Sequence, residues 1–336
     1  MAIQIHYQDD TRDHERDYGK WSRLLLNVSN APKPMLRLRT AAGKRMRLDA
    51  GDLPILWAQI DGDYYEGVHV YRSLPQHQEW LPSISSAEVQ KIALMPVEQQ
   101  KKRWLKYFVQ ALHETRINCL SDGLWSLEYC DGSQSYEPHW RGKHRLRDWH
   151  AGAGDEDFQL LQAPCVYLDW CLSGSGQILN VFAPQARDSG RIKWWRKLAR
   201  LGQTPPILVW YIHSLSAYMI LDGHDRLQAC LLEGVQPAFA VLTSFYEVAI
   251  HSDPGREQAI LHQVNLTAER IAKGTENNPA SFVNMQKLLA QAFDRRPMRR
   301  FITRSSATLD PQAWDDEVAA FMRQKAATDC IYLRGL

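Results

Sequence analysis

The chain has 336 residues, 45% hydrophobic and 23% charged, enough for two or three packed domains and too apolar for a disordered chain. Forty basic against thirty-eight acidic residues leave a formal charge of +2, so bulk charge selects neither nucleic acid nor an acidic partner; only local patches do. The polar start, MAIQIHYQDDTRDHERDYGK, reads against a signal peptide, and no apolar run approaches the ~20 residues that cross a bilayer, which sets the expectation of a cytoplasmic protein.

In chain order, residues 55–60, 64–71 and 124–129 alternate or cluster as strands, with Asp61-Gly62-Asp63 and Asp131-Gly132-Ser133 as turns. Residues 86–120 read as helix, Ser86 capping it and Trp104, Leu105, Phe108, Val109 and Leu112 recurring at three and four; Met95-Pro96 divides it in two. Strands around a helical block predict an α+β domain over residues 1–150, for which the sequence suggests no role. Residues 136–157 are polar and rich in His, Arg and Gly. His139, His144 and His150 are five and six apart and share no helical face, so no metal site is expected and the segment reads as a linker, most flexible at Gly152-Ala153-Gly154.

The most telling stretch comes next. Residues 205–210 and 218–221 read as two apolar strands, the second running into Asp222-Gly223-His224-Asp225-Arg226. There Asp222 is placed to cap a helix, Gly223 supplies a position without a Cβ, and Arg226 projects from the first turn. The first amides of a helix lack internal partners and carry the positive end of its dipole, so the corner suits an anion, and an arginine fork suits phosphate.

The order Pro-Pro-Ile-x-Val, strand, Asp-Gly-His-x-Arg-Leu-x-Ala, Gly, strand resembles the ParB/sulfiredoxin superfamily over roughly ninety residues, and expects a domain of that kind over 158–245. The resemblance implies an opening strand over 163–170, a helix over 191–201 ending at Gly202, strands over 206–211 and 218–221, a signature helix ending near Gly234 and a closing strand over 238–242. The resemblance implies nucleotide binding, since the superfamily includes CTP-binding partition proteins, ATP-dependent sulfiredoxins and ADP-dependent free-serine kinases. It implies a nucleotide site at Asp222, Gly223, His224 and Arg226, with ATP, ADP or CTP as ligand and Mg²⁺ as companion. The sulfiredoxin cysteine is replaced by His224, which reads against sulfinic-acid repair, and the partition-protein Gly-Glu-Arg-Arg form is absent; the Gly-His-x-Arg form is closest to the free-serine kinases. Asp225 departs from the family pattern, placing a carboxylate where phosphate would dock: a Mg²⁺ ligand, a base, or a complement to the dipole. Catalytic candidates are Asp188, Asp225 and His224, with Asp169 and Asp222 as further possible bases.

Of six cysteines, none forms a Cys-x-x-Cys pair, and reduced, buried thiols are the plain reading, Cys230 lying one turn from the corner. Trp194-Trp195 reads as one core and one surface indole, and His213 as a solvated loop residue. Residues 246–336 predict a helical region, with helices opened by Asp253-Pro254, Asn278-Pro279 and Asp310-Pro311. Within it Arg295, Arg296, Arg299, Arg300 and Arg304 form a basic run suited to DNA or RNA phosphates; the plainer reading is a solvated helix junction paired with Asp294, Asp310, Asp315, Asp316 and Glu317. A third possibility folds these arginines over the nucleotide pocket. Three functional classes follow: a phosphotransferase or NTP hydrolase, a ParB-like DNA-binding or nuclease protein, and a non-catalytic interaction module such as an immunity protein or antitoxin.

Overall fold

The computed structural model describes residues 1–8, 23–61, 67–115, 117–130, 161–170, 177–249, 251, 253–293, 297–305, 307–325 and 331–333. The fold is mixed α+β. It divides into two compact units, one formed by Met1–Phe245 with Phe301–Leu336 and one by Tyr246–Arg300.

Among the described residues the larger unit holds two sheets. Strands β1 (Ala2–Gln8), β2 (Arg23–Ser29), β3 (Leu36–Ala41), β4 (Arg45–Ala50), β5 (Leu53–Ile60) and β6 (Gly67–Arg72) precede helices α1 (Ser86–Ala93) and α2 (Val97–Glu114). After β7 (Gly123–Cys130) come β8 (Cys165–Asp169), β9 (Gln177–Leu179), helix α3 (Gly190–Arg200), β10 (Ile207–Ile212), β11 (Ala217–Asp222), helix α4 (His224–Glu233) and β12 (Phe239–Val248). The first sheet runs β1-β2-β7-β12-β10-β11-β9, and β12 also pairs with β13 (Met298–Ile302). The second runs β14 (Ala307–Thr308), then β3-β4-β5-β6-β8, then β15 (Ile331–Leu333). Helix α7 (Pro311–Lys325) completes this unit.

Pairing joins what the sequence reading kept apart. β12 lies antiparallel to β7, with Phe239 opposite Cys130, and β8 lies antiparallel to β6, so strands from before and after residue 150 share both sheets and one core. β10 is parallel to β12 and antiparallel to β11, which is parallel to β9. All six residues of β10 are buried: Leu208, Trp210 and Ile212 face the main core, while Ile207, Val209 and Tyr211 face a second one with Leu227 and Leu231 of α4. That run of six apolar residues is what a strand covered on both faces requires.

Strands β2, β3 and β4, which the sequence reading passed over, alternate with period two. Leu36, Leu38, Met46 and Leu48 are buried, while Arg37, Arg39, Arg45 and Arg47 lie on the opposite face. On that arginine face Arg45 pairs with Asp315 at 2.8 Å and Arg47 with Glu317 of α7, and Trp314 and Phe321 pack beside Trp57. Asp315 and Glu317 therefore neutralise the β4 arginines, not the run near residue 300.

Several local readings need correction. Ser85, rather than Ser86, caps α1 by accepting the Glu88 amide. The region after residue 246 is not wholly helical, because β13, β14 and β15 lie within it. Cys165 is disulfide-bonded, whereas Cys119 and Cys230 are free and buried and Cys130 is buried; Cys171 and Cys330 lie outside the described residues, as do His139, His144, His150 and the glycine-rich centre of the expected linker. No helix among the described residues is long and apolar enough to cross a membrane.

The smaller unit holds α5 (Pro254–Ala272) and α6 (Pro279–Ala292), both opened as expected. Asp253 accepts the Arg256 amide and Asn278 the Ala280 amide, each with proline in the first turn.

Candidate anion site

The β11–α4 corner is built around Gly223. Its φ of +107° is left-handed, and a Cβ there would sit 2.8 Å from the Arg226 guanidinium. The Gly223 carbonyl accepts the Leu227 amide at 2.9 Å and so begins the helix. Asp222 does not cap it: its carboxylate accepts from Arg226 Nη2 at 2.7 Å. Among the described residues no acceptor takes the His224, Asp225 or Arg226 amide, so three donors remain at the positive end of the dipole.

Arg226 does not project outward. Only 2% exposed, it lies beneath Gly223, donating to Asp222 and to the Pro206 carbonyl at 3.2 Å, with its guanidinium carbon 5.2 Å from the Trp195 ring centroid. Its role is to fasten the end of β11 to the start of β10, using the planar fork inside the protein. Asp225 is also internal, 4% exposed. Its Oδ2 lies 2.8 Å from Arg191 Nε, a close ion pair off the hydrogen-bond direction, and accepts from Gln185 Nε2 at 3.3 Å. Burial raises the Asp225 carboxyl above its ordinary value, against the pull of His77, Arg191 and Arg226. The Asp225 carboxylate is thus an interior anchor between α3 and α4.

His224 packs against Phe182 at 4.9 Å and His77 at 5.9 Å, ring centroid to centroid, and its Nε2 accepts the Val181 amide at 3.4 Å. An accepting Nε2 puts the proton of the neutral ring on Nδ1. Burial, His77 and Arg226 together hold its pKa well below the usual value, so the ring is neutral at pH 7.

A shallow depression opens beside this corner, lined by Leu221, Asp222 and His224 with Arg191 from α3 and residues 77–81 and Ser83 from the segment between β6 and α1. That segment supplies residues the sequence reading missed. Glu79 Oε1 accepts from Arg191 Nη1 at 2.8 Å and from the Ser83 hydroxyl, and its pKa is lowered by the Ser83 bond first and by Arg191 and His77 as well. Asp188 is exposed in the turn before α3 and does not line the depression; Asp169 ends β8 in the other sheet. Among the described residues no group of three or more His, Cys, Asp or Glu could hold a metal ion, and with Asp222 and Asp225 held by arginines the corner does not fit a resident Mg²⁺.

The basic run near residue 300 is partly internal. Arg299 pairs with Glu247, and Arg304 donates to the Asp122 carbonyl at 2.9 Å; Arg300 is exposed, and Arg295 and Arg296 lie outside the described residues. Trp195 is buried and Trp194 half-buried, while His213 takes Thr303 as partner.

The class of protein these features define is an α+β protein with a candidate anion site at a strand-to-helix corner. No family model, curated protein or solved structure matches the chain.

Proposed function

We propose that the larger unit is a ParB/sulfiredoxin-like nucleotide-binding module whose β11–α4 corner receives a phosphate of ATP, ADP or CTP. The observation that carries this reading is the three adjacent amides of His224, Asp225 and Arg226, which lack acceptors among the described residues, next to a depression that His224, Arg191 and His77 line. A phosphate oxygen there would gain helix-start donors and a guanidinium, the pairing that anions seek at helix N-termini. Arg226 acts from beneath as a prop and a fixed positive charge, and any Mg²⁺ would arrive bound to the nucleotide. A phosphoryl-transfer or hydrolysis step would draw its proton acceptor from the depression, where His77 and Glu79 stand, rather than from Asp188.

A second reading has its own support. The depression has room for little more than a water molecule, far short of the roughly 300–1,000 Å³ usual for small-molecule sites, and both charged signature residues are held by internal partners, as in an interaction module that keeps the corner for folding. A thermal-shift screen of ATP, ADP and CTP, with and without Mg²⁺, separates the two. A ligand of the native state at 100 times its Kd adds about 2.7 kcal/mol to stability. A rise with any one nucleotide supports the module as a binder, and no rise with all three leaves the interaction reading.

A further inference from the structure

We infer that Glu79 is an internal substitute for the ligand's anion, holding Arg191 until a phosphate displaces it; this rests on the nucleotide reading above. Residues 73–85 cross from β6 to α1 without regular secondary structure. They are fixed at two points. The Pro75 carbonyl accepts the Ala183 amide at 3.0 Å, and Trp80 is buried against Phe182 at 4.8 Å, its carbonyl taking the Thr115 hydroxyl. Between these points stand His77, Gln78 and Glu79, all three lining the depression.

Arg191 is the shared element. It reaches two carboxylates at 2.8 Å, Asp225 with Nε and Glu79 with Nη1. The two are unequal. Asp225 is buried and belongs to the permanent α3–α4 contact, whereas Glu79 and Arg191 have side chains 46% and 38% exposed, so their pair faces water and is weak. A charged oxygen delivered to the α4 amides would compete with Glu79 for the same Nη1. Release of Glu79 costs little, while the Asp225 contact keeps the guanidinium facing the site. The strap then moves only between its two fixed points, and Ser83, which also donates to Glu79, is freed with it.

The test is calorimetric titration of ADP, and separately of inorganic phosphate, into the wild-type chain, Glu79→Gln, Arg191→Ala and the double variant. Glu79→Gln keeps the size of the side chain and removes its charge, so ADP binding tightens about two- to five-fold, the yield expected when an exposed pair no longer competes. In the Arg191→Ala background the same change has no effect. Hydrogen exchange without ligand adds an independent readout, with peptides spanning 75–85 exchanging faster in Glu79→Gln. Equal ADP affinity in wild type and Glu79→Gln overturns the inference and leaves the nucleotide site standing. Weaker binding in Glu79→Gln overturns it too, making Glu79 a ligand contact. No binding of ADP or phosphate to any variant overturns both the inference and the reading beneath it.

Discussion

Arg226→Ala tests whether the signature arginine holds the protein together or holds a ligand. The guanidinium is almost wholly buried, and removing it orphans two acceptors: the Asp222 carboxylate at 2.7 Å and the Pro206 carbonyl at 3.2 Å. Breaking a buried ion pair from one side costs about 3–5 kcal/mol. Asp222 keeps 20% of its side chain in water, which places this pair near the lower end. Loss of the contact with Trp195 adds about 0.5–1 kcal/mol. The expected loss is therefore about 3–4 kcal/mol, read as a fall in the urea midpoint at unchanged m-value, followed by tryptophan fluorescence. The same assay on Glu79→Gln expects less than about 1 kcal/mol, because that pair faces solvent. An Arg226→Ala loss under about 0.5 kcal/mol would refute the reasoning, since the side chain would then be free to leave its internal partners.

Gly223→Ala forces a left-handed φ on a residue with a Cβ and drives that atom against Arg226, so a loss of about 2 kcal/mol or more is expected in the same urea assay. His224 titrates below the unfolded value of about 6.5, so below that pH the unfolded chain binds a proton that the native state refuses. Stability is then full above pH 6.5 and falls as the pH drops through 6.5 towards 5, by up to about 1.4 kcal/mol per pH unit. His224→Gln should lose this part of the slope, leaving that of His69, whose pKa burial also lowers, and an unchanged slope would contradict a neutral His224. Burial pushes the Cys230 thiol up to about 11 and raises Cys119 as well, so brief iodoacetamide treatment at pH 8 should leave both unlabelled until urea is added, as peptide mass spectrometry will show.

The parts of the fold legible in sequence were those where one local signal sufficed. Asp253-Pro254 and Asn278-Pro279 each combine a cap with a first-turn proline, and both helices begin there. The six apolar residues of β10 between Pro206 and a polar turn left no amphipathic choice, so a strand covered on both faces followed. The Leu36–Leu38 and Met46–Leu48 alternations were equally local but were passed over, because the intervening arginines resemble a solvated face; their partners, Asp315 and Glu317, lie about 270 residues away. The same distance problem hid half of the candidate site. The Asp222–Arg226 corner announced itself by spacing, but Glu79 meets Arg191 across 112 positions, and a proline-bounded segment between strand and helix carries no periodicity to locate it. Spacing also gave the wrong direction for Arg226. A first-turn arginine reads as outward, and only the close approach allowed by Gly223, with Asp222 four residues earlier as partner, turns it in.

The central claim is that the start of α4 receives an anion, and amide-resolved NMR titration of the native chain with ADP tests it most directly. The account predicts saturable shifts of the His224, Asp225 and Arg226 amide resonances, accompanied by the Arg191 side chain. Resonances of those three amides that stay in place up to millimolar ADP, CTP and phosphate would contradict it.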